Sequence, residues 1–74
     1  MNDIQVTRMY HMRINRNLRQ KDVEEMCGIP HTVYSAVETG RMSEPWNYVK
    51  EKLEAFYGMP LSELLEKVSL ELTQ

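Results

Sequence analysis

Apolar residues recur along the chain at helical spacing, in short blocks punctuated by glycine and proline. Ile4, Met9 and Met12, with Val6, share one face of a first helix over 4–15, for which Asp3 is the candidate N-cap. A polar stretch at 16–19 follows. Val23, Met26 and Cys27 then fall at i, i+3 and i+4, which predicts a second helix over 20–27. Asp22, Glu24 and Glu25 lie in its early turns, where carboxylates complement the helix dipole. Gly28 ends it as a left-handed C-cap. Pro30 suits only a helix start, so a third helix runs from Pro30 or His31 to Thr39, burying Val33, Tyr34 and Val37, until Gly40 stops it. Residues 41–44 read as a loop. Pro45 opens a fourth helix with Trp46, Val49, Leu53 and Phe56 on its apolar face, ending at Gly58. Pro60 opens a fifth, whose Leu61, Leu64, Leu65, Val68 and Leu72 form a long apolar stripe. Nothing alternates at period two over a useful length. The expectation is an all-α fold of five short helices, with no repeat, linker or low-complexity tract.

Seventy-four residues leave room for one core, so residues 1–74 are expected to form a single domain. With 27% charged residues and no apolar run of roughly 20, the chain does not read as a membrane protein. Its start lacks the basic-then-apolar pattern of a signal peptide, and a cytoplasmic location is expected. One cysteine, Cys27, forms no internal disulfide, which suits a reducing compartment.

A net charge of −2 is unusual for a protein that binds nucleic acid, because Lys and Arg supply most non-specific affinity for phosphate. The distribution changes that picture. Residues 1–41 carry six bases against five acids, a net of +1; residues 42–74 carry three bases against six acids, a net of −3. Any DNA-facing surface therefore belongs to the first half, with a modest electrostatic pull.

Two short helices joined by a glycine-containing turn are the helix-turn-helix arrangement, which sets its second helix in the major groove. The segment Gln20-Lys-Asp-Val-Glu-Glu-Met-Cys-Gly-Ile-Pro-His-Thr-Val-Tyr-Ser-Ala-Val-Glu-Thr-Gly40 resembles the phage-repressor and Cro family. That pattern has a Gln, an apolar residue three on, Gly-Ile at the turn, then an apolar residue, Glu and Gly closing the recognition helix. The likeness continues through Pro45 and Gly58-Met59 into Leu61-Ser62-Glu63-Leu64-Leu65, and covers 9–66. It implies a lambda-repressor-like fold with the helix-turn-helix proper at 20–39.

The resemblance also assigns residues. His31, Thr32, Val33 and Ala36 fall at base-facing positions, His31 to donate to guanine or touch phosphate, Thr32 to hydrogen-bond a base edge, Val33 or Ala36 to meet a thymine methyl. The set has no Arg, Asn or Gln for bidentate readout. Gln20 is implied to hold a phosphate together with the amides of the second helix's N-terminus. Arg41 and Ser43 fall at phosphate positions in the following loop, and Arg16, Arg19 and Lys21 extend that footprint unless they are simply solvated. Arg13 and Glu38 match a structural pair joining the first helix to the end of the third; the alternative is two solvated surface charges.

Two positions depart from the family. Glu24 stands where a small residue is usual, and Tyr34 stands opposite it in place of an aliphatic one, so a Tyr34 hydroxyl reaching Glu24 is expected. Cys27 with His11 and His31 matches no zinc spacing, and Cys27 reads as a small core residue. No nucleophile, base and acid set and no phosphate loop can be assembled, so no enzyme activity, catalytic residue, metal or cofactor is expected. Leu70 and Leu72 lie beyond the likeness and serve either a homodimer or partner contact or a frayed tail. Two functions follow. One is a small phage or mobile-element regulator, Cro-like, whose dimer represses by occupying double-stranded operator DNA. The other is an anti-repressor or modulator that uses the same fold to bind a cognate repressor protein, as in a lysogeny-type switch.

Overall fold

The computed structural model describes residues 4–70, the side chain of Leu70 excepted. In chain order the elements are β1 (Ile4–Thr7), α1 (Arg8–Asn15), α2 (Gln20–Cys27), α3 (His31–Glu38), α4 (Asn47–Tyr57), α5 (Leu61–Leu64) and β2 (Lys67–Leu70). Five helices form among the described residues, but these are not all-α. β1 and β2 pair antiparallel, with Ile4 opposite Leu70, Val6 opposite Val68 and Thr7 opposite Lys67.

That ribbon corrects both ends of the expected pattern. Ile4 and Val6 belong to a strand, so the first helix starts at Arg8, and its N-cap is Thr7, whose Oγ1 accepts the Tyr10 N–H at 3.2 Å. Asp3, the expected cap, lies outside the described residues. At the other end the long stripe breaks after one turn. Leu61 and Leu64 are buried in α5 and Leu65 packs partly against the core, while Val68 stands in β2; Leu72 lies outside the described residues. The Arg8 amide donates to the Glu66 carbonyl at 2.8 Å and its side chain meets the Glu66 carboxylate at 3.1 Å, tying the ribbon to α1.

The core is Met9, Val23, Cys27, Ile29, Tyr34, Val37, Val49, Leu53, Tyr57, Leu61 and Leu64. Each helix contributes only one face, as its spacing requires. Of the other positions expected on apolar faces, Met12, Val33 and Phe56 are half-buried against this core, whereas Met26 is 63% exposed and Trp46 is 65% exposed. Trp46 caps α4, which begins at Asn47, instead of packing beneath it, and stacks on Tyr48. Glu54 reaches across the Gly58 turn to accept the Leu61 N–H at 2.7 Å, capping the short α5. No helix among the described residues is long and apolar enough to cross a membrane.

Candidate nucleic-acid interface

The α2 to α3 turn is set by three consecutive residues. Gly28 adopts φ +70°, a left-handed conformation that costs glycine nothing, and its N–H returns to the Glu24 carbonyl at 2.7 Å. Ile29 then drops into the core, and Pro30, extended with ψ 146°, prevents α2 from continuing and starts α3 in a new direction.

α3 has a closed face and an open one. Tyr34, Val37 and Glu38 are buried, whereas His31, Thr32 and Thr39 are exposed and Val33, Ser35 and Ala36 are half-buried. Of the four residues assigned to bases, His31 and Thr32 stand clear in the first turn and Ala36 follows a turn later. Val33 packs partly against the core. Ser35 was not singled out by the family likeness, yet it follows His31 by four residues and Thr32 by three, a spacing that puts it on the same open face.

Beneath the open face, the last turn of α3 is anchored by a polar cluster around Glu38, which is 1% exposed. Its carboxylate accepts from Arg13 Nε at 2.6 Å, Arg13 Nη2 at 3.4 Å, Gln20 Nε2 at 2.7 Å and the Tyr34 hydroxyl at 2.8 Å. Because the Tyr34 proton goes to Glu38, Tyr57 donates in turn to the Tyr34 oxygen, at 2.7 Å. Arg13 is also fixed by Nη1 donating to the Leu18 carbonyl at 2.7 Å, and Thr7 donates to the Glu38 carbonyl at 2.5 Å. Side chains from β1, α1, α2 and α4 thus converge on one turn of α3.

The ionisation of the cluster follows from burial and charge. Burial works against the Arg13 cation, but the hydrogen bond and charge of Glu38 outweigh it and hold the guanidinium above its ordinary range. Burial likewise pushes both phenols up, Tyr57 to about 12 and Tyr34 further, the neighbouring Glu38 charge adding to both. Burial also raises the Cys27 thiol, as suits a core residue. Among the described residues no group of three or more His, Cys, Asp or Glu side chains is placed to hold a metal.

The expected contact between Tyr34 and Glu24 does not form. Tyr34 points inward, to Glu38 on its own helix, and the Glu24 carboxylate meets Nδ1 of His31 instead. Gln20, assigned to phosphate, has its side-chain amide on Glu38. The basic residues divide in the same way. Arg16 donates to the Phe56 carbonyl at 3.2 Å and lies over the Phe56 and Tyr57 rings, at the C-terminus of α4. Arg19 pairs with Asp22 at 3.0 Å, which lowers the Asp22 carboxyl by hydrogen bonding and caps α2. Lys21 and Arg41 are exposed and make no ion pair with any described residue, and Ser43 is exposed two residues beyond Arg41.

Residues 9–64 match the family model of the helix-turn-helix. Over 54 residues the chain is 39% identical to RstR, a transcriptional repressor of the cryptic phage CTXphi from Vibrio cholerae; the alignment takes in 73% of this chain and 48% of that protein. The chain therefore spans about half the length of that curated relative. No solved structure matches it.

Proposed function

The chain belongs to the helix-turn-helix family, and on that premise we propose that it is a transcription regulator of phage or mobile-element type that binds operator DNA. In this reading α3 enters the major groove and a dimer spans two half-sites about one DNA turn apart. The observation that carries it is the open first turn of α3, with His31 and Thr32 exposed while the opposite face is locked onto the core through Glu38. His31, Thr32 and Ala36 face the bases, with Val33 at the edge of the contact. Lys21, Arg41 and Ser43 flank them as phosphate contacts. Gln20, its amide engaged with Glu38, acts on phosphate through the α2 N-terminus that it opens. Arg16 and Arg19 contribute charge at longer range. The similarity to a phage transcriptional repressor supports the same assignment.

The test is binding to duplexes carrying the promoter region of its own gene. A sequence-preferring complex is expected, weakening as salt rises and weakening on Arg41→Ala, whose loss should lower the salt slope by about one. A second reading, that the fold serves mainly to bind a cognate repressor, draws on the exposed Trp46, Tyr48 and Met26 and on the internal pairing of Arg8, Arg13 and Arg19. No sequence-preferring complex at moderate salt, together with co-purification with a repressor, favours that second reading.

A further inference from the structure

Glu24 and His31 form a unit that neither the family pattern nor the proposed function explains. Glu24 replaces the small residue usual at this crossing of α2 and α3. Its side chain is 14% exposed, and it accepts a hydrogen bond from His31, whose side chain is 64% exposed at the first residue of α3. The direction of that bond has a chemical consequence. An ionised carboxylate only accepts, so Nδ1 must carry a hydrogen. In a neutral imidazole the other nitrogen, Nε2, is then bare and can only accept, and ring geometry points it away from Glu24. An unheld histidine at this place would turn freely and offer either nitrogen in either state. Held by Glu24 and neutral, it presents one acceptor in one direction.

An outward acceptor selects its target. In the major groove it complements the exocyclic amino groups, N6 of adenine or N4 of cytosine, and is repelled by guanine O6 and N7 and by phosphate oxygens. We infer that Glu24 is a positioning residue that fixes His31 with Nε2 as an acceptor, and that His31 thereby reads an amino-bearing base edge, adenine or cytosine, in the operator half-site. This rests on the DNA-binding reading above and differs from the expectation that His31 donates to guanine or grips phosphate, which would need a hydrogen on Nε2. It also assigns Glu24, an acid beside a phosphate-lined groove, a role that a small residue cannot fill.

Two measurements on the full chain test it. The first needs no DNA: long-range ¹H–¹⁵N correlation of the imidazole nitrogens at pH 8, with His11→Gln removing the other histidine. His31 is expected in the Nδ1–H form, and Glu24→Ala, which installs the residue type usual at this position, is expected to return it to the Nε2–H form that an unconstrained imidazole favours. The second uses duplexes selected from a random pool. Adenine is replaced by purine and cytosine by 2-pyrimidinone, each lacking its amino group, one position at a time. One position is expected at which this loss weakens the wild type about fivefold, the worth of one hydrogen bond, and leaves His31→Ala and Glu24→Ala unaffected. An Nε2–H ring in the wild type overturns the inference alone, as does the absence of any such position or an equal loss in Glu24→Ala. Failure to select any sequence overturns the DNA-binding reading and this inference with it, whatever the tautomer.

Discussion

Replacing Arg13 with Met isolates what the buried pair contributes, because methionine fills most of the arginine stem and removes only the cation and its donors. Wild-type Glu38 receives four hydrogen bonds, two of them from Arg13. In Arg13→Met the carboxylate keeps Gln20 and Tyr34 but stands 1% exposed with no counter-charge. An uncompensated buried charge of this kind costs about 3 to 5 kcal/mol. The two surviving donors place the expected loss at the lower end, about 3 kcal/mol. At about 0.05 to 0.15 kcal/mol per residue, 74 residues have a total stability of about 4 to 11 kcal/mol, so the variant should be folded but fragile. Urea unfolding followed by far-ultraviolet circular dichroism reads the difference, and the melting temperature should fall by about 12 to 24 °C. Adding Glu38→Gln neutralises the stranded charge while leaving an oxygen to accept from Tyr34 or Gln20. The double variant should therefore be more stable than Arg13→Met by about 1 kcal/mol or more, a non-additivity typical of contacting groups. A loss below about 1 kcal/mol with simple additivity would refute the reasoning and return the pair to the solvated surface charges considered from sequence.

The phenols of Tyr34 and Tyr57 give a pH prediction. A phenol raised from its unfolded value near 10 contributes stability that is whole below pH 10 and is lost as pH climbs through the folded value, about 12 for Tyr57, so stability should fall between pH 10 and 12. Absorbance titration at 295 nm should show part of the tyrosine ionising only with unfolding; all four titrating freely near pH 10 would contradict the buried cluster. At the helix turn, Gly28→Ala meets no atom within 4 Å but must hold φ +70°, so a loss of about 1 kcal/mol in urea unfolding is expected from backbone strain alone. An unchanged midpoint would mean that the turn relaxes out of the left-handed region.

The central part of the fold was legible because its punctuation is local. Gly28, Pro30, Gly58 and Pro60 each act on their own backbone, and the structure ends or starts a helix at each. The ribbon was not. Ile4–Thr7 and Lys67–Leu70 are four residues long, too short for period two to separate from a helical stripe, and their pairing joins opposite ends of the chain. Val68 fits both periods, so the helical stripe runs on past the end of α5 into β2. In the site, Tyr34 meets not Glu24 across the turn but Glu38, four residues on along its own helical face. That i to i+4 spacing was the signal that could have found the Tyr34 contact. Tyr57 had no such signal, since its hydroxyl meets Tyr34 from another helix.

The claim everything depends on is that the open face of α3 is the surface that meets the ligand. Amide chemical-shift mapping, as a selected duplex is titrated into labelled protein, tests it most directly. The account predicts the largest shifts at Gln20 and Lys21, from His31 to Ala36, and from Arg41 to Ser43. Shifts confined to the β1 and β2 ribbon and α5, with α3 silent, would contradict it.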